Sequence, residues 1–287
     1  MGFRFVLPVA FLLGAGCQLI FKLRADKIVL LTWLEAPEVN IPNVMQMPRA
    51  VTATAIFLDR KGGVDPVPVS GGFAGFFGAG KLFPMAERDP AASPGVYVVT
   101  SLDDRAEGEP ALPYDTDENR RYGFKACTVN RGEGCIGEEF SINRILAAPA
   151  LDASTIVFEP ALQPSSFDGF AGTLLAGTAL KVKFPTPTDD NRYRPVVTVM
   201  AASADPTQAP GLVFNSVPTG GAELVAYLTT EPPLEIDIPA DKLSAAGVYV
   251  IMTGSARLNL DTSDNLFIGS GAIAGSMNAF LIEVHTQ

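Results

Sequence analysis

Apolar residues recur along this chain in short runs, often at every second position, with turn residues between the runs. Leu234-Glu-Ile-Asp-Ile238 shows the pattern plainly. Leu234, Ile236 and Ile238 fall on one side and Glu235 and Asp237 on the other, which is the period of a half-buried strand. The same reading predicts strands over 27–34, 50–59, 67–77, 96–101 and 122–129 in the first half. In the second half it predicts them over 155–159, 173–184, 195–200, 212–215, 223–229, 234–238, 248–253 and 278–284. Helical spacing is rare. It predicts a helix over 141–148 and a short one over 240–245, after Pro239.

Composition agrees with many short strands. The chain has 287 residues with 27 Gly and 23 Pro, roughly one residue in six against the usual one in eight. These residues are spread throughout, which breaks long helices and suits strands joined by turns. An apolar content of 47% suffices for packed cores, so disorder does not explain them. Lys and Arg number 21 against 31 Asp and Glu, a net charge of −10. That surface repels phosphate backbones, and no basic run offers a local exception, so nucleic acid is not an expected partner.

The N-terminus carries an address. Arg4 precedes the apolar run Phe5-Val-Leu-Pro-Val-Ala-Phe-Leu-Leu13, and Gly14-Ala15-Gly16-Cys17 follows. Extended as far as Phe21, the run would make a helix about 25 Å long, short of a ~30 Å hydrocarbon core, and Pro8 interrupts it. It reads as an export signal. Leu13-Gly14-Ala15-Gly16-Cys17 resembles the lipobox of bacterial lipoproteins, with Gly14 where that family usually has a branched residue. The resemblance covers about 18 residues. It implies cleavage before Cys17, lipidation of the Cys17 thiol, and anchoring in a bacterial cell envelope, at the outer membrane or cell surface. After Cys17 the chain runs Gln18-Leu-Ile-Phe-Lys-Leu-Arg24, apolar with basic punctuation rather than a polar tether.

An internal echo divides the rest. Ser93-Pro-Gly-Val-Tyr97-Val-Val-Thr100 returns in outline as Ala245-Ala-Gly-Val-Tyr249-Val-Ile-Met-Thr253. A Tyr near the start of a strand, hydrogen-bonding backwards, resembles a device of immunoglobulin-like sandwiches. The expectation is an all-β chain of two tandem antiparallel β-sandwich domains. Its divisions are signal 1–16, lipidated tether 17–29, sandwich 30–148, linker 149–153 and sandwich 154–287. One large sandwich is the alternative.

Candidate chemistry is sparse. In an oxidising space Cys127 and Cys135 are expected to form a disulfide; free thiols are the alternative. One histidine, His285, leaves a zinc site short of ligands and a Ser-His-Asp arrangement without a well-placed base. Gly75-Phe-Phe-Gly-Ala-Gly80-Lys81 has phosphate-loop spacing, but Leu82 stands where a hydroxyl is needed and Pro84 blocks the following helix. Gly269-Ser-Gly271-Ala-Ile-Ala-Gly275 lies too near the C-terminus to open a dinucleotide-binding unit. Nucleotide is therefore not an expected ligand. Asp115, Asp117 and Asn119 space oxygen ligands as a calcium loop begins, but Arg120 takes the place of its turn glycine. Asp189-Asp190-Asn191 and Asp261-Thr-Ser-Asp264-Asn265 are further acidic turns. Solvated turns are the competing reading of all three.

The expected function is a lipid-anchored, non-catalytic envelope protein that binds a surface or envelope partner or serves a structural role. A small-ligand carrier and a hydrolase with unrecognised carboxylates are the alternatives.

Overall fold

A computed structural model describes residues 25–41, 45–60, 67–69, 72–103, 111–117, 119–131, 134–188, 193–202, 211–217, 227, 230–267 and 270–286. The export signal, Cys17 and the strand expected at 223–229 lie outside this set, save residue 227. Among the described residues are nineteen strands and two short 3-10 helices, Ala153–Thr155 and Ala240–Leu243. In chain order the strands begin β1 Lys27–Ala36, β2 Val39–Ile41, β3 Met45–Met47, β4 Ala50–Asp59, β5 Val67–Pro68 and β6 Phe73–Gly78. They continue β7 Lys81–Pro84, β8 Ala86–Asp89, β9 Ser93–Thr100, β10 Tyr122–Arg131, β11 Gly134–Ile145 and β12 Val157–Glu159. The rest are β13 Phe170–Leu175, β14 Leu180–Lys183, β15 Arg194–Ala201, β16 Gly211–Asn215, β17 Glu235–Ile238, β18 Gly247–Asn259 and β19 Gly271–His285. The chain is all-β.

The chain divides into two compact units, each gathered from separate stretches. Unit 1 holds Met1–Trp33, Thr52–Leu146 and Leu258–Ile273; unit 2 holds Leu34–Val51, Ala147–Arg257 and Ala274–Gln287. One boundary, Leu146/Ala147, lies beside the expected division at 148. The others fall inside β1, β4, β18 and β19. Residues 149–153, expected to be a linker, are fastened within unit 2. Ser255 Oγ donates to the Pro149 carbonyl, Asn278 Nδ2 donates to the Leu151 carbonyl at 2.9 Å, and Asp152 accepts from Ser154 N at 2.9 Å.

In unit 1 the strands run β1-β4-β9-β8 in one sheet and β11-β10-β6-β7 in another. Alternation sends Ala53, Ala55, Tyr97 and Val99 inwards. Phe57 of β4 meets Phe124 of β10 at 5.8 Å, and Trp33 of β1 meets Phe76 of β6 at 5.2 Å. These contacts lay the two sheets face to face.

In unit 2 the small sheet β12-β14-β17 packs on the sheet containing β15, β18, β19 and β13. Leu180 faces Ile238 and Val182 faces Ile236 on the inner side, against Tyr249 and Ile251 of β18 and Ile282 and Val284 of β19. The opposite side of β18 and β19 carries Val250, Leu281 and Met252, covered by Val39, Ile41 and Met47 of the β2–β3 hairpin. With both faces covered, β18 needs no polar side, which is why Val248-Tyr-Val-Ile-Met252 is an unbroken apolar run. β13 and β19 pair in parallel, and Lys27 forms a further parallel bridge with Leu266.

Three expected elements are corrected. The predicted helix over 141–148 is the end of β11. Tyr122 faces Ile145 and Phe124 faces Ile142, so β11 spends one extra residue there as a bulge. Asn143 and Arg144 both turn out to solvent, and Ile142 and Ile145 both turn in. A spacing of three between buried residues imitates a helix. The expected strand over 67–77 is interrupted between β5 and β6, and the one over 173–184 is a strand, a reversal and a second strand, β13 and β14. The short 3-10 helix Ala240–Leu243 does follow Pro239.

Asn259 fixes the end of β11 within unit 1. Leu146 N donates to Asn259 Oδ1 at 2.9 Å, and Asn259 Nδ2 donates to the Leu146 carbonyl at 3.1 Å. Asn259 is buried. Asn259→Ala is expected to lower stability by about 2–4 kcal/mol, because two backbone groups lose their partner at ~1–3 kcal/mol each. Urea unfolding measures this; a loss under ~0.5 kcal/mol refutes the assignment.

Candidate functional site

The three acidic turns differ in fate. Asp189, Asp190 and Asn191 lie outside the described residues. Residues 261–265 lie along β11. Asn143 N donates to the Asp261 carbonyl at 2.8 Å and Ser263 N to the Ser141 carbonyl at 2.9 Å. Ser141 N donates to Ser263 Oγ at 3.0 Å, and Asn265 Nδ2 donates to the Glu139 carbonyl at 2.7 Å. This segment occupies the outer side of β11, which would otherwise present unpaired backbone groups at a sheet edge.

The candidate calcium loop is a ladder of side-chain turns. Asp115 Oδ1 accepts from Asp117 N at 2.9 Å, and Asp117 Oδ1 accepts from Asn119 N at 3.0 Å. Arg120 lies 2.7 Å from Asp115 Oδ2 and 3.8 Å from Asp117 Oδ2. The Tyr122 hydroxyl donates to Asp115 Oδ2 at 3.3 Å. Asp115, first, then the Tyr122 hydroxyl, hold the Arg120 guanidinium above its ordinary pKa. Burial raises the Tyr122 phenol. The protein's own cation thus sits on the two carboxylates that calcium would need. The sequence carried the sign: Arg120 is the residue that stood in place of the turn glycine. Among the described residues no group of three or more His, Cys, Asp or Glu is placed to hold a metal.

Cys127 is disulfide-bonded. The β10–β11 register sets Cys127 opposite Glu139 and Cys135 opposite Asn130.

The phosphate-loop look-alike is a hairpin. Gly78 pairs with Lys81 across Ala79 and Gly80, whose φ values of 51° and 77° are those of a primed two-residue turn. The glycines serve the aromatic rings. Register pairs Gly78 with Tyr122 and Gly123 with Phe77, so each ring lies over a glycine on the neighbouring strand. A Cβ on Gly78 would lie 1.9 Å from Tyr122 Cδ1, and one on Gly123 would lie 2.2 Å from Phe77 Cζ. Gly271 opens β19 as a strand. His285 lies near its end, half exposed, with Nε2 3.3 Å from Glu283 Oε2.

The tyrosine echo has a structural counterpart in its second copy. The Tyr249 hydroxyl donates to the Ala245 carbonyl at 3.0 Å, four residues upstream. Tyr97 is buried edge-on against Phe57, with centroids 5.5 Å apart.

On the outer face of β12-β14-β17, Lys183 contacts Glu159 and Glu235, and Lys181 contacts Glu235 at 2.8 Å. Lys183 lowers the Glu159 pKa, and Lys181 lowers that of Glu235. A carboxyl with a lowered folded pKa stabilises above its unfolded value, 4.5 here, and loses that contribution as pH falls through the folded value. The melting temperature is therefore expected to drop on acidification below pH 4.5, less so in Lys183→Ala and in 1 M salt. Because the groups are exposed, the difference is small. Identical acid profiles for both proteins would dismiss the ladder as a contributor.

One surface of unit 1 departs from the acidic remainder. Register pairs Thr52 with Thr100, Thr54 with Val98 and Ile56 with Val96 on the outer face of β4 and β9. Leu30 and Thr32 of neighbouring β1 extend the face, and Thr32 Oγ1 reaches the Thr54 carbonyl at 3.5 Å. Leu30 is 40% exposed, and Thr32, Thr54, Ile56, Val96 and Val98 are half-buried. None is charged. Sequence reasoning missed this face, though the charge-free runs 50–58 and 93–101 were its signal.

No protein-family profile matches the chain, and no curated protein matches it. Among solved structures the chain is similar to the FN1–FN3 domains of chicken CNTN1, at 8% identity with a TM-score of 0.20. The match covers 91% of this chain and 65% of that one, so the chain spans less than two thirds of that structure's length. The all-β class rests on the strands themselves.

Proposed function

We propose that this is an exported, non-catalytic protein of a bacterial cell envelope, anchored through lipidated Cys17, whose unit 1 binds a partner through the outer face of β1, β4 and β9. The uncharged face carries the reading. A sheet face turned to water ordinarily alternates polar and charged residues against the buried side. Here a chain of net charge −10 keeps three adjacent strands free of charge on their outer side. Contiguous uncharged, partly apolar surface of this kind marks contact with another surface. The lipobox-like Leu13-Gly-Ala-Gly-Cys17 supports the anchor and the location.

The anchor is tested by growing cells with labelled palmitate and separating membranes from soluble proteins. Cys17→Ser is expected to abolish the label and release the protein from the membrane fraction. A wild-type chain that is membrane-bound yet carries no label would defeat the lipid anchor.

A further inference from the structure

We draw no further inference here: the strongest candidate, the uncharged outer face of β1, β4 and β9 in unit 1, carries nothing beyond the reading above, because nothing in the structure shows what covers it.

Discussion

Replacing Trp33 by alanine is expected to cost about 3–5 kcal/mol, the usual loss for removing a fully buried large aromatic. Trp33 is 0% exposed, and the rings of Tyr122, Tyr114 and Phe76 surround it at 4.7, 4.8 and 5.2 Å. Its indole Nε1 donates to the Pro113 carbonyl at 3.1 Å. The variant opens a cavity among rings that are themselves packed and strands that are paired, so the site cannot collapse to fill it. A typical domain has only ~5–15 kcal/mol to lose, so Trp33→Ala brings the protein close to unfolding at physiological temperature. Trp33 is the single tryptophan of the chain, so the measurement should follow far-UV circular dichroism in a urea series rather than fluorescence. A loss below ~1 kcal/mol would mean that Trp33 is not the centre of this core.

Gly78→Ala is expected to cost about 3 kcal/mol, at the upper end for overpacking. Its Cβ would fall 1.9 Å from Tyr122 Cδ1 and 2.2 Å from Cε1. The Tyr122 ring cannot swing aside. Trp33 lies 4.7 Å away, Phe76 stacks on it at 6.1 Å, and its hydroxyl bonds Asp115. The double variant Gly78→Ala/Tyr122→Ala separates this clash from other effects. Once the ring is gone, adding the methyl group should cost close to nothing, a strongly non-additive cycle. Strict additivity would show that the ring does not lie over Gly78.

The same aromatic–glycine pairing shows how far the sequence could be read. Gly75-Phe-Phe-Gly-Ala-Gly-Lys81 was recognisable as something other than a phosphate loop, because Leu82 and Pro84 broke the requirements of one. What the glycines were for was not legible. Tyr122 and Gly78 are 44 residues apart in sequence, and only the β6–β10 register brings them together. The acidic loop at 115–119 was partly legible. Arg120 visibly spoiled the calcium pattern, but that its guanidinium lies on both carboxylates is a matter of side-chain geometry.

Local order was written in the chain itself. Alternation in Leu234-Glu-Ile-Asp-Ile238, the unbroken run through Val248–Thr253, and dispersed Gly and Pro determined that the protein is built of strands, because side-chain period and backbone freedom are properties of neighbouring residues. The tertiary structure decided what neighbouring residues cannot encode. A bulge turned Ile142 and Ile145 to one side and disguised a strand as a helix. Long-range pairing drew each unit from separate stretches of chain. Register across β4 and β9 chose which half of two charge-free runs became core and which became an uncharged outer face. Those choices depend on the free energy of faces buried against partners tens or hundreds of residues away, which no local pattern contains.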